Sequence, residues 1–137
     1  MYLLDTMVVS ELRKTRRNPR LVAWLRDVRP VDLHLSVVTV GEVEKGIAKQ
    51  RRRDPAFAAR LTAWLDDVLR HYAARVLPVD VNVARRWGQL ADAHGHAGAD
   101  LLIAATALEH GLTVVTRNTR HFEQTGAALL DPFSDGG

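Results

Sequence analysis

The stretch GADLLIAATALEHGLTVVTRN, residues 98–118, decides how this chain folds. From Ala99 to Leu108 almost every side chain is apolar, so the segment predicts a helix buried nearly all round. Gly111 supplies its stop, and LTVVT, residues 112–116, then has the β-branched composition of a short interior strand. Asp100 falls in or just before the first turn of that apolar helix, and Thr116 falls where the strand gives out.

The same alternation extends in both directions. Toward the start, Tyr2 to Leu4 is a short apolar run that breaks at Asp5, and a helical pattern follows at once. Asn18 and Pro19 form a cap-then-proline signature ahead of Leu21, Val22, Leu25 and Val28 at helical spacing. LHLSVVT, residues 33–39, predicts a second strand, after which Val40, Val43 and Ile47 mark one face of a helix carrying Glu42. Asp54 and Pro55 start a longer helix through Leu61, Leu65, Val68 and Tyr72. RVLPVD, residues 75–80, predicts a third strand stopped by Pro78, and a helix from about Asn82 to His94 follows. GAALLDPF, residues 126–133, holds a last strand. Short strands separated by helices predict an α/β fold whose mostly parallel sheet is covered on both faces, since parallel neighbours need crossover connections. Ligands of such sheets gather at the carboxyl ends of the strands, near a switch in strand order, which puts Asp5 and the residues after Val115 on the functional edge.

No linker-like boundary, repeat or low-complexity segment interrupts residues 1–137, so a single domain is expected. The chain has no cysteine, which excludes a disulfide framework and thiolate metal sites. The first apolar stretch carries Asp5 and Glu11 and lacks a basic leader, so it does not resemble a signal peptide, and nothing approaches the ~18 apolar residues of a membrane span. A soluble cytoplasmic protein is the expectation. Nineteen Lys and Arg against sixteen Asp and Glu give a net charge of only +3. The bases are gathered, however, in RKTRRNPR, residues 13–20, and KQRRR, residues 49–53, and two arginine-rich runs favour a polyanionic partner.

Taken one at a time, the acids have ordinary explanations: Asp100 as a helix cap and Glu42 as a solvent-facing side chain. Converging at one end of a buried sheet, they would repel one another and raise one another's pKa unless a cation compensated. Oxygen ligands of this kind suit magnesium or manganese rather than zinc. Thr6 and Thr116 flank the expected site, and Arg117 and Arg120 are placed to meet phosphate at the same edge. His94 and His96 form a brief HGH with no third ligand evident, which favours a loop role, and His121 is a weak candidate for substrate contact. Trp24, Trp64 and Trp87 sit among apolar neighbours, as core or oligomer packing would require. A nucleotide-binding enzyme would need a phosphate cradle, and neither G-x-x-x-x-G-K-[ST] nor G-x-G-x-x-G occurs. A phosphotransferase with an aspartate nucleophile would commonly show D-x-D, and position 7 is Met.

LLDTMVVSEL (3–12), LSVVTVGEVEKGI (35–47) and ADLLIAATALEHGLTVVTRNTRHF (99–122) resemble PIN-domain nucleases, in particular VapC-type toxins of bacterial toxin–antitoxin pairs, and the resemblance spans nearly the whole chain. It implies a three-layer α/β/α sandwich and a Mg²⁺- or Mn²⁺-dependent endoribonuclease. Asp5, Glu42 and Asp100 would hold the metal, and a metal-activated water would attack the phosphodiester. The family's fourth acidic position falls on Asn118, which brings no charge, and Met7 stands where the family usually has Asn, so a weaker metal site is expected. The resemblance further implies a cognate antitoxin covering the acidic groove, a homodimer within a toxin–antitoxin hetero-oligomer, and operator DNA bound only through the antitoxin. The alternative from another class is a PIN-like module that binds nucleic acid or antitoxin and cleaves weakly or not at all because of Met7 and Asn118.

Overall fold

The computed structural model describes residues 1–134. Five strands, β1 (Tyr2–Leu4), β2 (Leu33–Ser36), β3 (Val76–Leu77), β4 (Thr113–Val115) and β5 (Ala128–Leu130), form one sheet in the order β3-β2-β1-β4-β5, with every pair parallel. Six helices connect them: α1 (Thr6–Leu12), α2 (Pro19–Asp27), α3 (Val37–Arg53), α4 (Pro55–Tyr72), α5 (Val81–His94) and α6 (Ala99–His110).

Side-chain alternation along β1 divides the core into two layers. Leu4 packs on one face with Val8, Val9, Leu21, Leu35, Tyr72 and Val115, the layer under α1, α2 and α4. Leu3 packs on the other with Ile103, Ala104, Ala107, Leu112, Val114 and Phe122, under α6. This is the three-layer α/β/α sandwich expected of short, doubly covered parallel strands. The apolar helix is buried as its composition demands, with Leu101, Ile103, Ala104, Ala105, Thr106 and Ala107 all inside. Gly111 ends it in the left-handed conformation at φ 65°, which glycine adopts without steric cost.

One boundary differs from expectation. The run read as a strand over 33–39 is a strand only to Ser36, and Val37, Val38 and Thr39 already belong to α3. The Ser36 hydroxyl accepts from the Val38 N–H and caps the helix, a local bond that overrides the β-propensity of the two valines.

The chain leaves β1 toward β2 on one side, and β4 flanks β1 on the other, so the order of the sheet reverses around β1. A crevice opens at the carboxyl ends of strands at such a point. Asp5 follows β1 and Thr116 follows β4 there, and the Asp5 N–H donates to the Val115 carbonyl at 3.0 Å, carrying the ladder one residue beyond the strand.

Candidate functional site

Asp5 is 5% exposed and stands at the N-cap of α1. One carboxylate oxygen accepts from the Val8 N–H at 3.0 Å, and the other accepts from the Thr116 hydroxyl at 2.5 Å. The capping bond explains why a carboxylate is tolerated at the end of a buried strand, because it satisfies a helix N–H that would otherwise lack a partner. It does not neutralise the charge. Burial pushes the Asp5 carboxyl above its ordinary pKa of 3.8, the bonds from Thr116 and Val8 pull it part of the way back, and the negative charge of Asp100 pushes it up again. Among the described residues neither Asp5 nor Glu42 has an ion-pair partner.

Asp100 is in the first turn of α6 without capping it, since Gly98 is the N-cap and no side chain bonds there. Its carboxylate lies 3.2 Å from His121 Nδ1. Glu42 is exposed on α3, yet its Oε1 accepts from the Thr6 hydroxyl at 2.5 Å, and Thr6 Oγ1 is also 3.1 Å from the hydroxyl of buried Thr39. Asn118 receives the Thr116 hydroxyl oxygen as acceptor for its own N–H at 2.9 Å, while its side-chain amide donates to Met7 Sδ at 2.7 Å. The two positions that depart from the family pattern therefore meet each other.

A cavity of about 260 Å³ has Asp5, Thr6, Met7, Glu42, Asp100, Ile103, Asn118, His121 and Phe122 on its walls. All three acids and Asn118 thus share one cleft at the carboxyl edge of the sheet. They line it without converging, for no three Asp, Glu or His side chains among the described residues stand close enough to enclose an ion. Thr6 bonds Glu42 and Thr116 bonds Asp5, so both threonines brace carboxylates. Arg117 is not on the walls of this cleft: its guanidinium stacks at 4.0 Å on the Phe133 ring, and it lines an adjoining pocket with Glu11, Arg13 and Lys14 that shares Thr6 and Met7 with the cleft. Arg120 lies in a neighbouring cavity with His94, His96 and His121. Thr39 and the Met7–Asn118 pair escaped the sequence reading, although Thr39 opens the T-x-x-E motif that ends in Glu42.

Asp5, Glu42 and Asp100 offer anionic oxygen donors and Asn118 a neutral amide oxygen, which matches a hard divalent cation. A buried carboxylate whose pKa is raised by desolvation and by a second carboxylate is the electrostatic condition that such a cation relieves.

Comparison with known proteins assigns the architecture. The PIN domain family profile matches residues 2–128. The chain is 39% identical to Toxin FitB of Neisseria gonorrhoeae over 98% of its own length and 100% of that protein. It is 36% identical to VapC ribonuclease Y4jK of Sinorhizobium fredii over 97% and 98%. The crystal structure of FitAcB from Neisseria gonorrhoeae superposes with a TM-score of 0.86 at 39% identity, covering 97% of this chain and 99% of that one.

Proposed function

Starting from a chain that belongs to the PIN-domain family, we propose that it is a toxin of the VapC type, a metal-dependent endoribonuclease held in check by a cognate antitoxin. The observation that carries this reading is the single cleft lined by Asp5, Glu42, Asp100 and Asn118, at the reversal of strand order. The names of the two relatives, one a toxin and one a ribonuclease, support the same reading.

Asp5, Asp100 and Glu42 would hold Mg²⁺ or Mn²⁺, with Asn118 offering a neutral amide oxygen once it turns from Met7. When bound, such a cation supplies Lewis-acid stabilisation of charge on the phosphate and lowers the pKa of water at the site. The protein's own groups do the positioning. Thr116 fixes the Asp5 carboxylate, Thr6 fixes Glu42 from the first turn of α1, and Thr39 supports Thr6 from within the core. The acidic groove would be closed in the antitoxin complex by a cationic side chain of the partner, since the buried Asp5 carboxylate has no ion-pair partner among the described residues and carboxylates reward a guanidinium. A single domain acting as a homodimer within that complex, in the cytoplasm, completes the proposal. No helix among the described residues is long and apolar enough to cross a membrane.

Titrating the antitoxin-free protein with Mn²⁺ by calorimetry tests the metal site without relying on activity. Binding should be measurable in the parent and lost in Glu42→Gln combined with Asp5→Asn. Asn118→Asp should bind about tenfold or more tightly than the parent, because it adds a fourth charge and releases the Met7 contact. No heat from the parent, or no gain in Asn118→Asp, would count against this assignment of ligands.

A further inference from the structure

Beside the acidic cleft lies a second cavity, of about 350 Å³, lined by His94, His96, Asp100, Arg120, His121, Glu123 and Gln124. It shares Asp100 and His121 with the first, so the two form adjoining compartments. Its volume falls in the ~300–1,000 Å³ range of small-ligand sites. Five parts of the chain build it: the last residue of α5, the loop before α6, the first turn of α6, the turn Thr119–His121, and the residues just after that turn.

The chemistry of the walls is specific. Three imidazoles and one guanidinium offer flat π-faces, while Gln124 and Glu123 offer amide and carboxylate groups for hydrogen bonding. The His94 and His96 rings meet edge to face, with centroids 6.4 Å apart and planes at 72°, an arrangement in which only one ring gives a face to the other. His96 Nδ1 accepts from the Gly98 N–H at 3.2 Å, which leaves Nε2 as the protonated nitrogen and a donor. No hydrogen bond or ion pair among the described residues engages the Arg120 guanidinium. Flat cationic and aromatic faces together with edge-reading polar groups are what an unstacked nucleobase requires, whereas a phosphate alone would gain little from two carboxylates nearby.

We infer that this cavity is a nucleotide subsite: it receives one unstacked base of single-stranded RNA, next to the phosphodiester that lies over Asp100 and Asp5. The inference rests on the ribonuclease reading for the identity of the neighbouring cleft. Arg120 and the histidine rings stack on the base, and Gln124 and Glu123 read its edge. Substrate choice is thereby set by Arg120, Gln124, Glu123 and the histidines, which adjoin the acidic cleft at Asp100 and His121.

Fluorescence anisotropy with short fluorescein-labelled oligoribonucleotides, in EDTA so that no metal-dependent cutting occurs, measures this directly. Arg120→Ala and Gln124→Ala should each weaken binding of the single strand by about tenfold, with far less effect on the same sequence annealed into a duplex. Arg120→Lys, which keeps the charge and removes the planar face, should behave like Arg120→Ala. Unchanged affinity in both alanine variants overturns the inference, as does equal loss on single strand and duplex, or full rescue by lysine, since each marks plain charge attraction. If single strands bind through these residues and the parent still cuts nothing with Mn²⁺, the subsite stands and the nuclease reading falls.

Discussion

Asp5→Asn is expected to lower RNA cleavage by at least about a thousandfold while leaving the fold intact, the scale of several kcal/mol that a cation contributes to a phosphoryl transition state. The fold should survive because the substitution keeps the local bonds. The amide oxygen still accepts from the Val8 N–H, and the Thr116 hydroxyl can reverse from donor to acceptor toward the new NH₂ group. Stability should even be no lower at neutral pH. Burial and Asp100 raise the Asp5 pKa above 3.8 in the folded chain, so the folded state holds that proton more tightly than the unfolded state does. The contribution is therefore greatest below about pH 3.8 and declines as pH rises through the raised folded value. Asn removes that decline, and the gap in melting temperature between variant and parent should widen upward across this window. Mn²⁺ should raise the melting temperature of the parent and leave Asp5→Asn unmoved. A variant that melts well below the parent at pH 7, or one that cleaves normally, would contradict the role given to this carboxylate.

Phe122→Ala should produce the largest loss of stability, about 3–5 kcal/mol by chemical denaturation. Phe122 is 1% exposed and fills the layer between Leu3, Ile103, Ala104, Ala107, Leu112 and Val114. Its ring also lines the acidic cleft, directly after the turn that carries Arg120 and His121. Truncation opens a void under α6 and loosens that turn, and a domain stabilised by only ~5–15 kcal/mol has little margin for it. A loss below about 1 kcal/mol would show that the layer collapses around the gap and that the ring is not what seats the turn.

What could be read from the sequence follows from how far apart the partners are in the chain. The burial of α6, its stop at Gly111, and the placing of Asp5 and Asp100 beside strand and helix ends rest on local periodicity and turn chemistry, and these are visible within a dozen residues. The end of β2 was not, because Val37 and Val38 have strand composition and the deciding bond is one serine cap. The contacts that shape the cleft lay further out of reach. Thr116 to Asp5 and Asn118 to Met7 each span 111 positions, and Thr6 to Glu42 spans 36. His94 ends α5 and His96 stands in the loop after it, as the HGH segment suggests, but only the packing of α5 beside α6 brings that loop to His121 and Arg120. The T-x-x-E pattern held a local signal for Thr39, a threonine one helical turn from Glu42 on the same face.

The central claim is tested most directly by incubating antitoxin-free protein with a mixed pool of small and ribosomal RNA in Mg²⁺, Mn²⁺ or EDTA, beside Asp100→Asn purified identically. Discrete fragments that require the metal and vanish in the variant are the predicted result. RNA that stays whole in every metal condition, or fragments that persist in Asp100→Asn, would contradict it.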